Sequence, residues 1–98
     1  MHGERRGSPR VEAAALPDDY IARLRAGAEA EVLNVSPTGV LLESTTRLLP
    51  GRRVTLRIGP AADLRLLDGE VVRCALTHVA PSGHAIYRAA IRFLVKSQ

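Results

Sequence analysis

The sequence predicts an all-β fold, a six-stranded antiparallel β-barrel preceded by a basic N-terminal arm, on three observations. From Leu16 onward, short apolar stretches are separated by turn-forming clusters, the punctuation of a β-meander rather than of a helical chain. Within two of these stretches apolar and polar residues alternate with period two, which is the side-chain period of a strand with one face buried. The length of 98 residues, with 46% hydrophobic and 24% charged positions, suits one small core and excludes a second folded domain.

Each element follows from the local composition. Residues 1–10 carry Gly3, Gly7, Ser8 and Pro9 among charged side chains and have no apolar anchor, so they are expected to form a flexible arm, with the barrel domain over 11–98. Pro17-Asp18-Asp19 turns the chain into a strand at 20–24, although a short helix over 17–24 is the competing reading. Arg25-Ala26-Gly27 leads to a second strand at 28–34, where helical propensity again competes, and Ser36-Pro37-Thr38-Gly39 reverses it into a third at 40–44. After Pro50-Gly51 a strand at 53–57 is read from Val54, Leu56 and Ile58 on one face and Arg53, Thr55 and Arg57 on the other. Between Leu64 and Val79, Asp68-Gly69 fits either a tight hairpin turn or a glycine bulge within one bent strand. The bulge is preferred, because a hairpin there would have very short arms, and one strand at 66–78 is expected. Pro81-Ser82-Gly83 then reverses the chain into a last strand at 85–94, with Tyr87, Ala89, Ile91 and Phe93 toward the core and Arg88 and Arg92 outward. Closing six such strands into a barrel removes the exposed edges that a small sheet must otherwise protect.

No apolar run approaches the length of about 18 residues needed to cross a membrane as a helix, and no apolar stretch follows the N-terminus to act as a secretory signal, so a cytoplasmic location without membrane insertion is expected. One cysteine, Cys74, cannot staple the domain internally. The basic excess that gives a net charge of +4 is nearly all arginine, thirteen Arg against one Lys. Arginine offers a planar fork of donors that grips phosphate bidentately and stacks on flat rings, so the positions of these arginines carry the information.

Two clusters stand out. The first is Arg5-Arg6-Gly7-Ser8-Pro9-Arg10, in which a turn at Gly7-Ser8-Pro9 would bring Arg6 and Arg10 toward one anionic ligand with Arg5 as a third donor. The second is Asn34-Val35-Ser36-Pro37-Thr38-Gly39, at the junction of two expected strands. Asn34 and Ser36 suit a hydrogen-bonded turn, and Gly39 is able to take a positive φ and to let a ligand approach the backbone. Taken alone, this second cluster reads as an Asx or Ser turn closing a hairpin.

Together, Arg6-x-x-x-Arg10 and Asn34-x-Ser36-x-x-Gly39 resemble the bipartite motif of the PilZ domain family, RxxxR followed by D/N-x-S-x-x-G. Gly39-Val40-Leu41-Leu42, the run from Leu49 to Leu56, Gly69-Glu70-Val71-Val72-Arg73 and the run from Ala89 to Leu94 look like family segments in the family's order, so the resemblance covers nearly the whole chain. It implies a six-stranded barrel that binds the bacterial second messenger cyclic di-GMP, a receptor with no cofactor rather than an enzyme. It further implies that Arg6 and Arg10 contact phosphate and guanine with help from Arg5. Asn34 and Ser36 would hydrogen-bond a guanine edge, and Gly39 would supply clearance and turn geometry. Arg73 is expected on the adjoining barrel surface, where some members carry an aromatic stacking residue. Two departures stand against this pattern: an amide replaces a carboxylate at position 34, and the chain stops at Gln98 where many members continue into a C-terminal helix.

Other chemistries are poorly supplied. Cys74, His78 and His84 offer three zinc ligands without a fourth nearby. No Ser, His and Asp grouping points to nucleophilic catalysis. A nucleic-acid-binding barrel would want exposed aromatics for base stacking, and Tyr20, Tyr87 and Phe93 are the only aromatics, at least two of them expected in the core. Two readings therefore compete. The first is a cyclic di-GMP receptor that couples binding to a conformational change or to an unidentified downstream protein partner. The alternative is a PilZ-like protein-interaction module with weak or no nucleotide binding, acting in pilus or motility assembly.

Overall fold

A computed structural model describes residues 11–12, 16–24 and 28–94 of the chain. The expected arm at 1–10, with Arg5, Arg6 and Arg10, lies outside the described residues, as does the turn at 25–27. Among the described residues seven strands occur in the order β1 (Val11–Glu12), β2 (Tyr20–Leu24), β3 (Glu29–Ser36), β4 (Gly39–Ser44), β5 (Arg53–Pro60), β6 (Arg65–Val79) and β7 (Ala85–Phe93). All pairings are antiparallel, and the ladder β3-β2-β5-β6-β7-β4 closes on itself through β3 and β4, giving a six-stranded barrel. The helical propensity of 17–24 and 28–33 yields to closure: pairing between β3 and β4 gives the two strands that would otherwise be edges a second neighbour.

The strand β1, which sequence reasoning did not separate from its surroundings, adds to β3 on the edge that β2 leaves free. β2 pairs with Glu29, Ala30 and Glu31, whereas Val11 is in register with Val35 and Glu12 with Asn34. Two residues are too few to show an alternation.

The core is the inward face of the closed sheet. Leu42, Leu56 and Val71 are fully buried, with Ala22, Val32, Val40, Ile58, Ala89 and Ile91 around them. The period-two pattern of β5 places Leu56 and Ile58 inside and Arg53 and Arg57 outside, as alternation requires. Tyr20 and Phe93 pack against this cluster. Tyr87, expected in the core, is only half-buried, because it is the last β7 residue paired with β4, opposite Ser44, at the rim beyond which β6 and β7 continue as a two-stranded ribbon.

β6 is one strand through Asp68-Gly69, and it bends because its first part pairs with β5 and its later part with β7. Its bulges against β7 fall at Val72 and Thr77, not at Gly69. Gly69 is required by a close approach instead: a Cβ there would sit 2.4 Å from Ile91 Cγ2. The β6–β7 reversal uses Gly83 at φ 92, a left-handed conformation suited to glycine.

Candidate functional site

A groove of about 470 Å³ opens on the outer surface beside the β3–β4 turn, lined by Asn34, Thr38, Gly39, Leu41, Val72, Arg73, Ala90 and Arg92 among others. Its floor is a cross-strand row. Asn34 is opposite Leu41, Leu41 is opposite Ala90, and Ala90 is opposite Arg73. At about 4.8 Å per strand spacing, Asn34 and Arg73 flank a span of roughly 14 Å.

Simple alternation would not put either flanking residue there. Val32 and Val71 are buried, so the residues two places on, Asn34 and Arg73, should also point inward. One extra residue, Leu33 on β3 and Val72 on β6, shifts the register immediately before each and turns both onto the outer face. Two bulges on opposite sides of β4 and β7 thus aim an amide and a guanidinium at one groove.

Ser36 is 6% exposed and does not line the groove. Its Oγ accepts a hydrogen bond from the Thr38 amide at 3.3 Å and lies 3.1 Å from Thr38 Oγ1. This is the Ser turn that the local sequence suggests, closing the two-residue Pro37-Thr38 loop between Ser36 and Gly39. Ser44 makes the same bond to the Thr46 amide, at 3.1 Å, at the other end of β4.

Gly39 does not take a positive φ; among the described glycines that conformation belongs to Gly51, Gly59 and Gly83. A Cβ on Gly39 would stand 2.5 Å from the Ile91 carbonyl oxygen, so its missing side chain makes room for the neighbouring strand rather than for a turn geometry. The sequence reading assigned this clearance to a ligand; within the fold the missing side chain makes room for β7.

The charge of the groove comes from Arg73 and Arg92. Arg92 Nη2 donates to Glu70 Oε1 on the adjacent strand, opposite which it lies in register. Arg73 is exposed and has no ion-pair partner among the described residues. Sequence reasoning placed Arg92 outward by alternation without assigning it to the site, and nothing in its local sequence links it to Asn34. Register across β7 makes that link, since Arg92 is opposite Gly39. The zinc candidates are engaged locally: Cys74 Sγ accepts from the Leu48 amide at 3.4 Å, and the Nδ1 atoms of His78 and His84 lie 3.0 Å from Thr77 Oγ1 and Ser82 Oγ.

The arrangement provides an open groove with an apolar floor, an amide at one end, two guanidiniums across from it and backbone near a turn, suited to a flat, anionic, multidentate ligand. The family model described as PilZ domain matches residues 4–95. No curated protein matches the chain. Among solved structures, the PilZ domain with c-di-GMP of YcgR from Escherichia coli aligns with a TM-score of 0.65 at 16% identity, over 93% of this chain and 79% of that one. At that identity the likeness is one of fold.

Proposed function

Since the chain belongs to the PilZ domain family, we propose that it is a receptor for cyclic di-GMP, a binding domain that couples the second messenger to a conformational change or a protein partner. The observation that carries this reading is the register of β1. Val11, which directly follows Arg10 in the sequence, pairs with Val35 between Asn34 and Ser36, and this pairing supports the reading that Arg6-x-x-x-Arg10 and Asn34-x-Ser36-x-x-Gly39 act on one ligand.

The ligand's chemistry fits the residues. Cyclic di-GMP is a dianion with two guanines; guanidinium groups bind phosphate and the guanine O6/N7 edge bidentately and stack on the bases. Arg6 and Arg10, with Arg5, supply these contacts from the N-terminal side. Asn34 meets a guanine edge through its amide. Ser36 acts by holding the Pro37-Thr38 loop through its bond to the Thr38 amide. The YcgR domain that shares this fold carries c-di-GMP in its description.

Isothermal titration of the full chain tests the reading. Saturable binding of cyclic di-GMP with a clear preference over cyclic di-AMP, GTP and GMP is expected, because adenine lacks the O6 acceptor and the mononucleotides offer one base. Binding of the adenine analogue with equal strength would mark a generic basic patch. A folded chain that binds none of them would instead favour the protein-interaction module.

A further inference from the structure

The later part of the β6–β7 hairpin extends beyond β5 and β4. β5 stays in register with β6 only as far as Arg53 opposite Glu70, and the last backbone bonds from that side run between Val71 and the pair Gly51 and Arg52. Beyond the Leu48 amide on Cys74 Sγ, residues 75–79 have β7 on one side and, among the described residues, no partner strand on the other. That leaves about 17 Å of unpaired strand edge at ~3.3 Å per residue.

The edge is also apolar. Leu76 and Val79 are opposite Tyr87 and Ala85, on the face that is buried inside the barrel at Val71 and Ala89, yet they are 57% and 59% exposed. Residues 74–87 contain no Asp, Glu, Lys or Arg, in a chain that is 24% charged. Natural edge strands are usually blunted by lysine, proline, an inward charge or a bulge, and of these only the bulge at Thr77 lies within 74–79. The bulge at Thr77 is satisfied within the ribbon, where its hydroxyl donates to the Ile86 carbonyl at 3.1 Å.

We propose that this ribbon is a self-association surface, through which two copies of the chain pair their free β6 edges antiparallel about a two-fold axis. A row of unpaired N–H and C=O groups is complementary to another strand, and an edge placed antiparallel to its own copy meets that requirement with no second partner surface. Charge selects the place. Two chains of net charge +4 repel each other, and the uncharged ribbon is where they approach without bringing guanidiniums together. Pairing carries Leu76 and Val79 of each copy toward its mate and out of water.

The test needs no nucleotide and is independent of the receptor reading. Sedimentation velocity of the full chain should show a reversible monomer–dimer equilibrium between micromolar and hundred-micromolar concentration. The double variant Leu76→Lys, Val79→Lys should weaken it by about tenfold or more. Leu66→Lys, at a residue 64% exposed on the part of β6 covered by β5, should leave it unchanged. Concentration-dependent amide protection of the unaltered chain should fall on residues 75–79, which keeps the test decisive if the double variant misfolds. A monomer throughout this range, a dimer whose protection lies elsewhere, or equal dissociation by Leu66→Lys overturns the proposal.

Discussion

Asn34 and Arg73 face the same groove because each is preceded by a one-residue bulge, Leu33 on β3 and Val72 on β6. The two are joined through Leu41 and Ala90 in one cross-strand row, and without the bulges both would point at the buried side of the barrel. Arg73→Ala should therefore weaken cyclic di-GMP binding by about tenfold while leaving unfolding unchanged, since an exposed guanidinium without an ion-pair partner contributes little to stability. Titration and thermal unfolding of the same variant check both halves. Unaltered affinity would remove Arg73 from the site.

Gly39→Ala should destabilise the protein even without ligand. The added methyl meets the Ile91 carbonyl, part of a backbone fixed by pairing on both sides of β7, so the contact cannot be relieved by a side-chain rotation. Overpacking of this kind costs about 1–3 kcal/mol. Chemical denaturation reads the loss directly; a variant as stable as the parent would show that the glycine serves only ligand clearance.

Ser36→Ala separates a turn-holding serine from one that contacts ligand. Losing the acceptor for the Thr38 amide should cost about 1 kcal/mol of stability and speed exchange of that amide. Lost affinity with unchanged stability and exchange would point to a direct contact instead.

The barrel was legible because its strands obey period two where they line the core: Val54, Leu56 and Ile58, or Ala89 and Ile91, announce both the strand and its inner face. The groove was only half legible. Asn34 and Gly39 belong to a motif with a fixed spacing, but their partners Arg73 and Arg92 are chosen by cross-strand register, and register at a bulge depends on which residue the pairing omits. Local sequence does not encode that choice. Tyr87 failed in the opposite way: its alternation is right, and it points along the core face of β7, but it is the last β7 residue that β4 covers, at the rim of the barrel.

Arg6→Ala and Arg10→Ala should each weaken cyclic di-GMP binding by about tenfold or more, ~1.4 kcal/mol, without shifting the unfolding midpoint. Both precede β1 in the sequence, outside the barrel strands' residue ranges. Affinity like that of the parent in both variants would sink the bipartite site.

Ligand binding should tighten β1 onto β3. β1 pairs through only two residues, Val11 with Val35 and Glu12 with Asn34, a ladder too short to be strongly protected by itself. A dianion bridging the arginines that precede Val11 in the sequence and the turn that follows Val35 would add a contact at that end of the ladder. The bound state then favours the paired conformation by population shift, and the newly fixed surface is what a partner protein would read. Amide exchange with and without cyclic di-GMP measures this. Added protection is expected at Val11–Glu12 and at residues 35–39, omitting Pro37, while residues 54–58 in the core strand β5 stay unchanged. Saturation by the nucleotide with no added protection at Val11–Glu12 would show that binding and β1 pairing are uncoupled, and the signal would have to leave the domain by another face.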